Sequence, residues 1–149
     1  MDKIDRKILA ELQRNARASL QEISQAAGLS STPCWTRMKK LEETGVIERY
    51  TVNLNAEALG LSETVMVQVT LDSHSDNTLE KFGETLASIP EVVEAYLVSG
   101  EYDYLLRIAV KDTKDFERLL REKLYKIKGV RHSKSSFVLR TLKKADLPV

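Results

Sequence analysis

Cysteine is nearly absent: Cys34 is the only one, so no internal disulfide can form. With just His74 and His132 to add imidazole, the ligands of a structural zinc site are missing, and no metal is expected. Both histidines read as exposed loop or edge residues. Only 3 prolines and 6 glycines occur in 149 residues, which argues against a disordered chain. No apolar run approaches the roughly 20 residues that span a bilayer. The opening MDKIDRK has no apolar core of the signal-peptide kind, so a soluble, cytoplasmic protein with no membrane partner is expected. Charge of one sign is lacking too. Lys and Arg number 23 against 22 Asp and Glu, a formal net charge of +1, so any affinity for a polyanion must be local. Absent as well are a Ser/His/Asp or Cys/His set at suggestive spacing and a phosphate-binding glycine loop. No catalytic residue and no cofactor are assigned, and an enzyme is not expected.

What is present is 42% hydrophobic and 30% charged residues in regular patterns, enough for one large domain or two small ones. A helical period gives way to alternation near residues 51–62, which predicts domains at 1–50 and 63–149 joined by a linker at 51–62. In the first part, Ile4, Ile8, Leu9 and Leu12 mark a helix ending near Asn15. Leu20, Ile23, Ala26 and Ala27 mark a shorter one, with a Ser19/Glu22 capping box and Gly28 as its stop. A third helix, capped by Ser30 and closed by Gly45, turns Cys34, Met38 and Leu41 inward. Val46 to Leu54 reads as a strand-like wing. In the second part, strands at Thr64–Leu71, Val92–Val98, Tyr104–Val110 and Val130–Leu142 alternate with two helices. The first helix starts at Asp76 or Asn77 and ends at Pro90; the second runs from Asp112 through Ile127 to Gly129. The order β-α-β-β-α-β predicts an α+β fold with a ferredoxin-like αβ-sandwich as its second domain. Two helices would cover one face of an antiparallel sheet, and apolar side chains on the other face predict a dimer.

Two short helices joined through Gly28-Leu29-Ser30 match a helix-turn-helix, with residues 31–44 as the recognition helix. Ser31, Thr32, Pro33, Trp35 and Thr36 occupy its first turns, the part that reaches base edges. Lys39 and Lys40 supply phosphate contacts whose strength falls as salt rises. Arg37 either touches phosphate or pairs with Glu11 or Glu42 to brace the helices. Residues 1–50 carry nine basic and seven acidic side chains, only +2, but no acid lies between Ser30 and Leu41. The positive charge is therefore concentrated. Trp35 either packs at the helix edge against the wing or meets a base or sugar. Cys34 reads as a small core residue.

Asp5-Arg6-Lys7-Ile8-Leu9, Ala16-Arg17, the stretch from Gly28 to Ile47, and Ser99-Gly100-Glu101-Tyr102-Asp103-Tyr104 together resemble the Lrp/AsnC family of feast/famine regulators, over nearly the whole chain. The resemblance implies a winged helix-turn-helix domain, a β-strand linker and an αβ-sandwich (RAM) effector domain. It also implies a homodimer assembling further, commonly to an octamer, on double-stranded DNA. It places a small amino-acid effector between dimers near the turn at Gly100, Tyr102, Asp103 and Tyr104. Consistently, Gly100 leaves room for a ligand to approach backbone, and the Asp103 carboxylate can receive an α-ammonium. Ser133, Ser135 and above all Ser136 on the last strand are candidate second contacts. The expected function is thus sequence-specific regulation of amino-acid-related genes from a pseudo-palindromic operator. Two alternatives stay open: an architectural DNA binder without effector, and an amino-acid-binding metabolic regulatory subunit.

Overall fold

Helix α1 (Lys3–Arg14) starts at Asp2, whose carboxylate accepts from the N–H groups of Ile4 (2.8 Å) and Asp5 (2.9 Å). The Asp5 carboxylate accepts in return from the Asp2 N–H at 2.8 Å. This reciprocal cap satisfies donors that a helix start leaves orphaned. Helix α2 (Leu20–Ala27) opens on the Ser19/Glu22 capping box: the Ser19 N–H donates to Glu22 at 2.7 Å and the Glu22 N–H to Ser19 Oγ at 3.2 Å. It closes on Gly28, whose φ of +74° side chains rarely adopt. There the Gly28 N–H donates to the Gln25 carbonyl and the Leu29 N–H to the Ser24 carbonyl, a Schellman ending that swings the chain into helix α3 (Ser31–Glu43). Ile8, Leu9, Leu12, Ile23, Ala27, Cys34 and Leu41 form the core, with Met38 and Ile47 packed against it. Ala26, expected inward, is exposed, because consecutive helical residues point about 100° apart and Ala27 takes the core position.

The computed structural model describes residues 1–73 and 76–149, so His74 lies outside the described residues. Its contacts divide the chain into two units, Met1–Asn53 with Lys143–Val149, and Leu54–Leu142. The second unit holds β1 (Glu63–Leu71), α4 (Asp76–Ala87), β2 (Val92–Leu97), β3 (Tyr104–Val110), α5 (Thr113–Glu122), a 3-10 turn at Leu124–Lys126, and β4 (Val130–Phe137). The sheet order is β2-β3-β1-β4 with antiparallel neighbours, the split βαβ arrangement read from the sequence. Val65, Val67, Val69 and Leu71 alternate on one face with Tyr104, Leu106, Ile108 and Val110 beside them. Phe82, Leu86 and Ile89 of α4 and its continuation, and Phe116 and Leu119 of α5, pack on that face. Burying each such side chain stabilises the fold by about 1.5–3 kcal/mol. Register puts Met66, Gln68 and Thr70 of β1, Leu105 and Arg107 of β3, and His132, Lys134 and Ser136 of β4 on the opposite face.

Several elements differ from expectation. Val46 to Leu54 and the linker 51–62 form no strand among the described residues. A strand needs a partner for its backbone groups, and the exposed Tyr50, Val52 and Leu54 bury nothing to hold one in place. The segment is instead pinned to α3, the Ile47 N–H donating to the Leu41 carbonyl at 3.0 Å and the Tyr50 hydroxyl to Glu42 at 2.8 Å. Strand β4 stops at Phe137 rather than Leu142, because its partner β1 runs out: Phe137 pairs with Val65 and the Val138 N–H reaches the Thr64 carbonyl. Helix α5 ends at Glu122, and the tighter turn after it keeps Leu124 buried. Residues 143–149, read with the second domain, contact the first unit; Gln13 Nε2 donates to the Leu147 carbonyl at 3.0 Å and Lys144 Nζ to Asn53 at 2.9 Å.

Candidate nucleic-acid interface and ligand turn

Helix α3 is two-faced because Cys34, Met38 and Leu41 recur at three- and four-residue intervals. The opposite side, Ser31, Thr32, Pro33, Trp35, Thr36, Lys39 and Lys40, is exposed throughout. Trp35 does not dock on the wing: it is 51% exposed, and Lys39 Nζ lies 5.1 Å from the centre of its ring, a cation–π pair. Lys40 has no carboxylate partner among the described residues. The Thr36 hydroxyl donates to the Thr32 carbonyl at 3.1 Å, so its oxygen is left to act as an acceptor. Ser30 occupies the N-cap position of α3, yet its hydroxyl makes no capping bond. The first-turn N–H groups therefore carry no side-chain cap, and such a helix start favours anions. Cys34 is fully buried, and burial pushes its thiol pKa upward, which fits a core side chain and not a reactive one.

Arg37 is the exception on this helix. Its Nη1 donates to Asp2 Oδ2 and to Asp5 Oδ1, each at 2.7 Å, bracing α3 on α1. The brace was expected with Glu11 or Glu42, but Glu11 pairs with Arg14 and Glu42 accepts from Tyr50. The Asp5 N–H first, and then Arg37, hold the Asp2 carboxyl down at about 2; the Asp2 N–H and then Arg37 lower that of Asp5. Sequence reading missed both acids as the partners of Arg37. The available signal was an Asp-x-x-Asp at a helix start, of which only Asp5 was noted, as part of the family resemblance.

The turn between β2 and β3 is built around Asp103. Its N–H donates to the Val69 carbonyl at 2.9 Å, its carbonyl accepts from the Val98 N–H at 2.9 Å, and its carboxylate accepts from the Leu71 N–H at 2.7 Å. Gly100, at φ +133°, is exposed with nothing near the position a Cβ would take. Tyr102 is half-buried, whereas Tyr104 sits in the core, 5% exposed, its hydroxyl donating to the Leu79 carbonyl and its ring packed on Phe82. The Tyr104 side chain is thus structural, not a ligand contact. Ser136 is also displaced from the turn. It pairs with Met66, three residues along β1 from Val69 and on the far side of β1 from β3, a separation of roughly 14 Å by strand spacing. Ser133 and Ser135 pair with Val69 and Val67 and share their inward face. At the Asp103 end of the sheet, β4 instead offers the exposed His132, opposite Thr70.

Comparison with known proteins decides the family. A profile of the Lrp/AsnC ligand binding domain matches residues 64–148, and one of winged helix-turn-helix DNA-binding domains matches residues 1–48. The chain belongs to the Lrp/AsnC family. The leucine-responsive regulatory protein of Escherichia coli K12 is 38% identical over 146 residues, which span 98% of this chain and 89% of that protein. An AsnC family transcriptional regulator from Agrobacterium tumefaciens superposes with a TM-score of 0.94 at 38% identity, covering 99% of this chain and 97% of the other. A transcriptional regulator from Neisseria meningitidis, solved as an L-Met complex, gives 0.91 at 33% identity over 97% and 93%. As in other Lrp/AsnC regulators, then, the first unit is a winged helix-turn-helix DNA-binding domain and the second a ligand binding domain.

Proposed function

We propose that this Lrp/AsnC regulator reads a pseudo-palindromic duplex through the exposed face of α3, and that a small α-amino acid bound between subunits beside Gly100 to Asp103 shifts that binding. The observation that carries the reading is the exposed pair Lys39 and Lys40 beside an exposed Trp35, on a helix whose N-terminal N–H groups have no side-chain cap. Lys39 and Lys40 take phosphates; Ser31, Thr32, Pro33, Trp35 and Thr36 face base edges and sugars. Arg37 leaves this set, because it is occupied by Asp2 and Asp5. A twofold dimer sets two such helices into major grooves one turn apart, and dimers assemble further to an octamer in the cytoplasm.

On the ligand side, Gly100 leaves backbone accessible, and Asp103, fixed by two strands, is the anionic group suited to an α-ammonium. Ser136 takes part only from a neighbouring copy. The ligand acts through its differential affinity for alternative assemblies, worth about 1–3 kcal/mol in systems of this kind. Operator binding with and without each of the twenty amino acids, followed by light scattering, tests both halves. One amino acid should shift affinity and assembly together. Indifference to all twenty assigns the second unit to assembly alone, and failure to distinguish promoter from random DNA overturns the reading.

A further inference from the structure

Resting on that DNA-binding reading, we propose that Asp2 and Asp5 set how well this chain discriminates its operator from random DNA, by withholding the Arg37 guanidinium from phosphate while fixing α3 on α1. Arg37 lies on the recognition helix between Thr36 and Met38, and it shares one cleft with Met1, Asp2, Asp5, Pro33, Thr36 and Lys40. The two acids therefore border the surface that carries the proposed base and phosphate contacts. Both 2.7 Å bonds run from the Nη1 group, and the partner Asp5 side chain is only 15% exposed, which shields that half of the brace from solvent.

An arginine released at this position would add one phosphate contact per recognition helix on any duplex, whatever its sequence. The two carboxylates offset the Arg37 charge, so while they hold it the guanidinium adds no net attraction for a phosphate. The penalty falls on non-specific binding, where phosphate contacts are the whole affinity, more than on the operator, where base contacts add to them. Arg37 is in this account a positioning residue. Lys39 and Lys40, exposed and in no ion pair among the described residues, remain the phosphate contacts.

The test is the full chain carrying Asp2→Asn and Asp5→Asn, since asparagine retains the capping oxygens and is an equally good helix cap. Affinity for a promoter duplex and for random duplex is measured against salt. The double variant should bind random DNA more tightly, with the slope of log affinity against log salt steeper by about 0.9 per recognition helix, and the promoter/random ratio should fall roughly threefold to tenfold. Adding Arg37→Gln should return the random-DNA slope to its original value. Arg37→Gln alone should weaken promoter binding and leave the slope where it was. The inference is overturned if Arg37→Gln alone flattens the slope by about 0.9, which would make Arg37 a phosphate contact. It is equally overturned if the double variant leaves the random-DNA slope unchanged or the triple variant keeps it raised. An unmodified chain that prefers no promoter fragment fails the DNA-binding reading itself, a result separate from these.

Discussion

Asp103→Ala should destabilise the second unit before it does anything to a ligand. Its carboxylate accepts the Leu71 N–H at 2.7 Å, and Leu71 is 1% exposed, so that donor has no water to turn to. The ladder between β1 and β4 also shifts register between Thr70 and Leu71, which leaves this N–H to the side chain. A hydrogen bond to a charged acceptor contributes about 1.5–3 kcal/mol, and leaving a buried donor unsatisfied costs a similar amount. At about 4–8 °C per kcal/mol for a unit of this size, the melting temperature should fall on the order of 10 °C. Asp103→Asn keeps an acceptor oxygen and should lose about half as much or less. Trp35 is the only tryptophan and belongs to the first unit, so its fluorescence serves as an internal control while circular dichroism follows the sheet. Hydrogen exchange at the Leu71 amide should quicken in the alanine variant. An unchanged midpoint with unchanged Leu71 exchange would refute the assigned bond. The asparagine variant, being folded, then tests the ligand role: calorimetric response to the effector should vanish, and a retained response removes Asp103 from the site.

Lys39→Ala with Lys40→Ala should make the salt slope of DNA binding shallower by about 1.8 per recognition helix; an unaltered slope excludes the two lysines as contacts. Leu106, fully buried at the centre of β3, should cost about 3–5 kcal/mol as Leu106→Ala in urea unfolding, and a loss below 1 kcal/mol would contradict the core assignment. The Asp2 carboxyl, held at about 2 against an ordinary 3.8, titrates lower when folded than when unfolded. Its contribution is accordingly complete above the unfolded value and is lost as pH falls from near 4 to near 2. Carboxyl NMR should place Asp2 near 2, and Arg37→Gln should raise it without restoring 3.8, because the Asp5 N–H is the larger cause. An Asp2 that titrates at 3.8 in the unaltered protein refutes the cap and brace together.

Local signals were legible wherever they report on the chain itself. The Ser19/Glu22 box, the Gly28 stop and the alternation of Val65, Val67, Val69 and Leu71 act within a few residues, and each appears as read. The wing was not legible, because alternating apolar residues at Tyr50, Val52 and Leu54 indicate a capacity to pair and say nothing of a partner. Register was out of reach for the same reason: only the pairing of Ser136 with Met66 shows how far that serine lies from Asp103. Tyr104 was misread through its place in the sequence. It follows Asp103 directly, and alternation along a strand turns neighbouring side chains to opposite faces, so one of the pair had to enter the core.

Charge placement, not charge quantity, is what this chain uses to approach DNA. With a net charge of +1, the protein has no field at long range that would draw it to any duplex. Among the described residues five arginines sit in ion pairs: Arg14 with Glu11, Arg37 with Asp2 and Asp5, Arg107 with Glu94, Arg118 with Asp115 and Glu122, and Arg121 with Glu122. A surface pair contributes little to stability, about 0–1 kcal/mol, so thermodynamic support of the fold is a weak reason for so many. For Arg37, on the proposal above, the consequence for binding is larger, since its pairing removes one sequence-independent phosphate contact from the recognition helix. The cations left on α3, Lys39 and Lys40, are few and stand on the same exposed side as Trp35 and the hydroxyls of the first turns, the part of a recognition helix suited to base edges. If the proposed reading holds, background affinity is weak, and a coupling of only about 1–3 kcal/mol from an effector is then enough to move the regulator on or off an operator.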